Sequence, residues 1–325
     1  MQRLDIYVQQ SSLYLLETTA AVLPCQVVPY NGCTAIQKEM GADSREIRIL
    51  AGSSGSIQGP DEAKLGYTMP QVADWDGDGD LDLLLSDIKG QHRFYENIGT
   101  KKTPKLASGQ LLRVDWPENP PKPSWVWWQP NPTELVTCWR CQPCAIDWNK
   151  DGLVDYVAVD HEGYLTYYEG FLKDGEKWLK PGSRIFKDID GQLIRISDLT
   201  VGKSGRARIT LVDWDADGDL DIIHNAHHLF GEAKAFLKKV TNAGWFENLG
   251  PANNPVFKWQ GEIIKKAIPP TSEHSTSPQA LDFDNDGKLD LFLGGEDGRI
   301  TCYHRAFIEN DLPELTIVKV EKHSN

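Results

Sequence analysis

Aspartate recurs at fixed spacing four times in this chain, in the pattern D-x-[DN]-x-D-G-x-x-D. The copies read DWDGDGDLD (Asp74–Asp82, loop one), DWNKDGLVD (Asp147–Asp155, loop two), DWDADGDLD (Asp213–Asp221, loop three) and DFDNDGKLD (Asp282–Asp290, loop four). Carboxylates at positions 1, 3, 5 and 9 gather around one point, and glycine at position 6 permits the sharp turn that wraps the chain about it. Oxygen donors at this density suit Ca2+ better than zinc or copper. The candidate ligands are Asp74, Asp76, Asp78 and Asp82; Asp147, Asn149, Asp151 and Asp155; Asp213, Asp215, Asp217 and Asp221; and Asp282, Asp284, Asp286 and Asp290. A backbone carbonyl near position 7 adds one more ligand, from Asp80, Leu153, Asp219 or Lys288. Asn149 breaks the carboxylate set and makes loop two the expected weakest site. Four Ca2+ ions, +8 in all, would bring the net charge from −13 to −5, so the metal is expected to support folding more than signalling. The large side chains at position 2 (Trp75, Trp148, Trp214, Phe283) are expected to pack at the loop.

An EF-hand would place glutamate at position 12, where this chain has Leu85, Ala158, His224 and Leu293. The flanks read as strands. Each loop follows a short apolar run (QVA, CAI, TLV, QAL) and precedes another, then a turn and an aromatic strand. The loops start 73, 66 and 69 residues apart. The N-terminal Leu4–Val8 and Ser12–Glu17 align with the second and third strands of this template, as though the chain starts inside a repeat. Five units of this length, at approximately 1–70, 71–143, 144–208, 209–278 and 279–325, predict an all-β fold, a β-propeller of about five repeats with the first incomplete. They form one domain or a fragment of a larger propeller. The stretch 231–240 (GEAKAFLKKV) reads as a short helical insertion.

These loops and hairpins resemble the VCBS and FG-GAP repeats of calcium-binding β-propellers. The resemblance covers nearly the whole chain. It implies fold and metal, a setting outside the cell, and, in some members, polysaccharide lyase activity. No segment carries a lyase's catalytic residues over one by one.

Strand alternation puts the acidic loops on one face of a propeller and the other connections on the opposite face. That second set holds Trp125, Trp127, Trp128, Trp139 and Arg140, then His161, Lys203, Arg206 and Arg208, then His224, and finally Glu273 and His274. Aromatic rings stack on sugars, and arginine pairs with a carboxylate or sulfate at two points. The expected ligand is an acidic polysaccharide or cell-surface glycan, with a protein partner as the alternative. An adhesion or purely structural propeller is the competing reading. If the chain is an enzyme, elimination is favoured over hydrolysis: Arg140 or Lys203 neutralises a uronate, and His161, His224 or His274 removes the C5 proton. Hydrolysis would draw instead on Asp160, Glu162 and Glu273.

The chain has 325 residues, 40% hydrophobic and 25% charged, ordinary for a globular protein. A net charge of −13 argues against a general nucleic-acid binder. No apolar run is long enough for a membrane span. The first residues lack the pattern of a signal peptide, so the expected secreted or periplasmic location rests on the calcium loops. Cys138, Cys141 and Cys144 resemble half of a zinc site, and Cys25 and Cys33 bracket a loop that a disulfide could close.

Overall fold

The computed structural model describes residues 4–9, 12–17, 26–30, 33–37, 50–51, 55–56, 69–87, 90–122, 129–138, 141–195, 208–225, 243–264, 277–294 and 300–309. The expected helical insertion at 231–240 lies outside them, as do Cys25, Trp125, Trp127, Trp128, Trp139, Arg140, Lys203, Arg206, Glu273 and His274.

The described chain is all-β, built from several antiparallel sheets. Strands β1 (Leu4–Gln9) and β2 (Ser12–Glu17) form one hairpin, β3 (Gln26–Tyr30) and β4 (Cys33–Gln37) a second, and the short β5 (Leu50–Ala51) and β6 (Gly55–Ser56) a third. A four-stranded meander follows: β7 (Met69–Ala73), β8 (Asp82–Ser86), β9 (His92–Tyr95) and β10 (Gln110–Leu111). The next sheet is β11 (Cys144–Ile146), β12 (Asp155–Val159) and β13 (Leu165–Tyr168), followed by the separate two-stranded hairpin of β14 (Gly170–Lys173) and β15 (Glu176–Leu179). The short β16 (Lys187–Asp188) leaves this unit. The third sheet is β17 (Arg208–Val212), β18 (Asp221–Asn225), β19 (Gly244–Asn248) and β20 (Val256–Glu262), and β16 adds to its outer edge, parallel to β20. The last unit is β21 (Ser277–Leu281), β22 (Asp290–Gly294) and β23 (Ile300–Tyr303), followed by the short helix α1 (Arg305–Glu309).

Each acidic loop joins the first and second strands of a sheet, as its flanking apolar runs predict. The second strands β8, β12 and β18 are buried along their whole length, the pattern of strands covered on both faces. One core fills the space between the sheets of loops one, two and three, and a second lies between those of loops three and four.

The first strands β7, β11, β17 and β21 neighbour one another in chain order, and β2 lies against both β7 and β21. The sequence alignment matches β2 to a third strand; the structure sets it beside first strands. The unit read as 1–70 is also divided. Its hairpin β3–β4 pairs through β4 with β23 and completes a five-stranded sheet with the far end of the chain.

The aromatic side chains at position 2 link each sheet to the next. Trp75 meets Tyr156 edge-on, with ring centroids 6.0 Å apart. Trp148 Nε1 donates to the Ala252 carbonyl at 2.7 Å. Trp214 lies under the Arg305 guanidinium, 4.1 Å from its ring centroid, and its carbonyl accepts from Arg305 Nη1 at 2.7 Å. All three indoles are buried, so they pack between sheets as well as at the loop. A polar contact reinforces the first of these interfaces. The buried His92 ring bridges Tyr156 Oη and Thr137 Oγ1, each 2.6 Å away, and burial lowers its pKa to about 3.

Candidate metal centres and the opposite loops

The four loops share one internal hydrogen-bond scheme. The position 1 carboxylate accepts from the position 6 glycine N–H at 3.1, 3.0, 3.1 and 3.0 Å in loops one to four. Position 3 accepts from the position 5 N–H, and position 5 from the position 7 N–H. Each loop turns through two left-handed residues. The glycines at position 6 have φ of 87° to 101°. Position 4 is left-handed too, and is glycine only at Gly77; Lys150, Ala216 and Asn285 adopt φ of 61°, 63° and 62°. Non-glycine residues there give no sequence signal, so that second turn was not legible.

The ninth-position aspartate has a second role beside the expected one. Asp82, Asp155, Asp221 and Asp290 are buried, and one oxygen of each accepts the position 2 N–H. The other oxygen accepts an N–H at or just past the end of the third strand, from Asn97, Gly170, Asn248 or Arg305, at 2.7 to 2.8 Å. This carboxylate therefore ties each loop to its own sheet, whatever it also ligates.

Loops one and three concentrate negative charge. Asp80 Oδ1 and Asp219 Oδ1 are buried with no hydrogen-bond partner. Burial, followed by repulsion from Asp217, Asp215, Asp213 and Glu247, raises the Asp219 pKa to about 6. Burial raises Asp82 and Asp221 to about 7, and also shifts Asp76 and Asp215 upward. Orphaned carboxylate oxygens beside mutually repelling neighbours are the arrangement a bound cation relieves. The donor set is all oxygen, the chemistry of a hard cation such as Ca2+, which Asp74, Asp76 and Asp78 would hold in loop one and Asp213, Asp215 and Asp217 in loop three. The carboxylates of Asp80 and Asp219 at position 7 would add to the backbone carbonyl expected there.

Loop two differs. Asn149 Nδ2 donates to Asp151 Oδ2 at 2.9 Å, and Leu153 leaves position 7 without a carboxylate. Lys177, on β15, reaches the loop from the side. Its half-buried ammonium lies 5.4 Å over the Trp75 ring, within the fields of Asp155, Asp151 and Asp147, and makes no hydrogen bond. The Asp151 pKa falls, first through the Leu153 N–H and further through Asn149, Lys177 and Lys180.

Among the described residues the three central cysteines gather into no group of metal-ligating side chains. Cys138 Sγ donates to the Asp160 carbonyl at 3.1 Å and Cys144 Sγ to the Ile209 carbonyl at 3.6 Å, while Cys141 Sγ accepts from Val159 N–H at 3.1 Å. All are buried, which pushes Cys141 and Cys144 up to about 12. They serve packing.

At the end of the sheet away from loop two, Asp160–Gly163 turns β12 into β13. Asp160 is consumed by this turn: it accepts from the Glu162 and Tyr164 N–H groups and from Thr166 Oγ1, and pairs with Arg184 Nε at 2.7 Å. Arg184 also binds Glu162 and stacks 4.2 Å over Tyr164, whose ring lies 5.1 Å from the Arg195 guanidinium. His161 sits in this cluster half-buried. Burial lowers its pKa, against the pull of Asp160 and Glu162. Arg184, Arg195 and Tyr164 belong to this group; the sequence did not single out the arginines because they come from the variable return of the repeat, nor Tyr164 because it is one aromatic among several in its turn and strand.

His224 is not in a connection. It lies on β18, fully buried, its ring 5.3 Å from Phe246 and 5.4 Å from Trp259, with neither nitrogen hydrogen-bonded. Burial lowers its pKa to about 3. Closed off by its own sheet, it cannot meet a polysaccharide. Arg208 is likewise a buried strand residue. Among the described residues no helix is long and apolar enough to cross a membrane.

No family model and no curated protein matches this chain. Among solved structures it is similar to an Agrocybe aegerita lectin, described as recognising non-reducing terminal N-acetylglucosamine, at 11% identity and a TM-score of 0.36, covering 92% of this chain and 62% of the lectin. It is also similar to the Photorhabdus luminescens Tc holotoxin pore, at 16% identity and a TM-score of 0.37, covering 90% of this chain and 12% of that one. The chain thus spans less than two thirds of either protein, and scores this low carry neither fold nor ligand over to it.

Proposed function

We propose that this chain is a calcium-stabilised β-propeller of the VCBS or FG-GAP type that works outside the cell. Its acidic loops are structural metal sites, and its opposite loops bind an acidic glycan. The observation that carries the metal reading is the pair of buried, unpartnered carboxylate oxygens, Asp80 Oδ1 and Asp219 Oδ1, in loops with the same scaffold. The neighbouring first strands, with β2 against both β7 and β21, support the ring. Bound Ca2+ supplies charge neutralisation. The aspartates orient it, and the ninth-position aspartate transmits its hold to the third strand.

The glycan reading rests on composition and on the separation of faces. The His161, Arg184 and Arg195 cluster lies at the end of the sheet opposite the acid. Both arginines already flank Tyr164, so that ring does not serve as a sugar platform. The tryptophans 125, 127 and 128, with Arg140, Lys203 and Arg206, are the proposed contacts. Of the proposed bases, His161 is eligible among the described residues, and His274 lies outside them. The test is retention of the calcium-loaded protein on immobilised uronate-bearing, sulfated and neutral polysaccharides. Selective retention on acidic glycans supports the reading, and an unsaturated product would add lyase chemistry. Failure to bind any glycan would sink it in favour of an adhesion or structural propeller.

A further inference from the structure

Loop four departs from the other three at the strand that faces it. The register pairs Leu291 with Tyr303 and Phe292 with Cys302. Asp290 therefore stands opposite His304, and Cys302 follows on the same face of the sheet. The same positions hold Glu96 and Phe94 opposite Asp82, Glu169 and Tyr167 opposite Asp155, and Glu247 and Trp245 opposite Asp221. Three sheets thus offer a carboxylate and an aromatic ring where the last offers an imidazole and a thiol.

The side chains meet. A ligand atom from each of Asp290, Cys302 and His304 lies within 4.8 Å of the others. His304 Nδ1 is 3.3 Å from Asp284 Oδ2 and 3.5 Å from Asp290 Oδ2. Around a tetrahedral zinc with bonds of about 2.1 Å, ligand atoms stand about 3.4 Å apart. The nitrogen already stands at that spacing from each of the two oxygens, the carboxylates of loop four lie within 4.8 Å of one another, and the thiol needs to move inward by no more than about 1.5 Å. Loop four also has lysine at position 7, where loops one and three have aspartate, so it is poorer in hard oxygen donors.

We propose that loop four is a site for a divalent first-row transition ion of the zinc class, held by His304 Nδ1, Cys302 Sγ and the carboxylates of Asp284 and Asp290. Nitrogen and sulfur favour such an ion over Ca2+. The thiol gives up its proton to solvent and binds as thiolate, so occupancy weakens as pH falls. Cys302 is fully buried, which shields the metal–sulfur bond from water.

The test uses the full chain, stripped with chelator and kept reduced, titrated with Co2+ and then challenged with Zn2+ or Ca2+. The expected result is a sulfur-to-cobalt charge-transfer band that one equivalent of Zn2+ abolishes and about a hundredfold excess of Ca2+ does not. Cys302→Ser should remove the band. His304→Glu, which installs the residue of the other three sheets, should weaken Zn2+ binding at least about tenfold. Both variants are first checked for wild-type circular dichroism and melting in calcium, with Cys302→Ala and His304→Gln as replacements if either misfolds. A band that persists without Cys302 would come from the other thiols and overturns the proposal, as does displacement of Co2+ by equimolar Ca2+ or the absence of any band. Such failure would leave the calcium reading standing, because loops one to three have neither donor.

Discussion

Loops two and three fold to the same backbone and the same hydrogen bonds, yet they settle their charge in opposite ways. Loop three places aspartate at all five odd positions, adds Glu247 at its edge, and pushes Asp215, Asp219 and Asp221 toward protonation. Loop two drops one carboxylate at Asn149 and another at Leu153, and brings Lys177 in beside the three that remain. On the proposed reading one loop takes an external cation, while the other has one attached by four methylenes. A repeated motif fixes loop shape, and the residues leaning on it set the charge left for a cation to neutralise.

The largest expected effect comes from removing calcium altogether. Each site loaded at a hundred times its Kd contributes about 2.7 kcal/mol. Calorimetry with and without chelator should show a fall in Tm of several degrees per tightly loaded site, since about 1 kcal/mol moves a chain of this class by roughly 2–4 °C. An unchanged Tm would remove the metal reading.

Single-loop variants sharpen the contrast. Asp217→Ala should abolish most of one calcium's stabilisation, whereas Asp151→Ala should cost clearly less of the calcium-dependent part. Equal losses in calorimetric titrations would erase the distinction between the loops. Lys177→Met is the reciprocal change. Burial outweighs the pull of the aspartates and lowers the Lys177 pKa, so the change should leave metal-free stability level or raise it, while making loop two more calcium-dependent. If calcium affinity does not move, Lys177 is not the loop's counter-ion.

The metal-free protein should also respond to pH with a defined sign. Carboxylates whose folded pKa lies at about 6 to 7, above an ordinary 3.8, bind protons more tightly when folded. Their cost is absent below pH 4 and grows as pH rises toward 7, so metal-free stability falls over that window. Saturating calcium, which binds the ionised form, should flatten or reverse the slope. Denaturant midpoints at several pH values would show it, and a rising metal-free stability would contradict the charge assignment in loops one and three.

The smallest effect distinguishes the turns themselves. Ala216 occupies a left-handed conformation without glycine's freedom. Ala216→Gly should stabilise the protein by about 0.5–1 kcal/mol, and Asn285→Gly by much less, because asparagine tolerates φ > 0. Matched melts of the two variants decide it.

What the sequence disclosed was local. Four acidic loops between strands and the packing of Trp75, Trp148 and Trp214 follow from residue type and spacing alone. What stayed hidden depends on distant partners. Nothing near Lys177 in the chain points to Asp147, because β14 and β15 bring them together. His224 reads as a loop residue until its strand proves one or two residues longer. Cys302 and His304 look unremarkable until register sets His304 across from Asp290 and Cys302 beside it on the same face. The pairing of β4 with β23 joins segments more than 260 residues apart, beyond any local signal.

That pairing has a consequence for synthesis. Strand β4 leaves the ribosome more than 260 residues before its partner β23. At about 5–20 residues per second the hairpin waits roughly 13–50 s with a ladder of open amide and carbonyl groups. Over that interval it is a template for whatever strand arrives first, including the same hairpin of a neighbouring nascent chain. Protection of residues 26–37 from protease should appear only in chains that extend past β23. The hairpin that completes the last sheet is therefore also a segment open to mispairing until β23 is made.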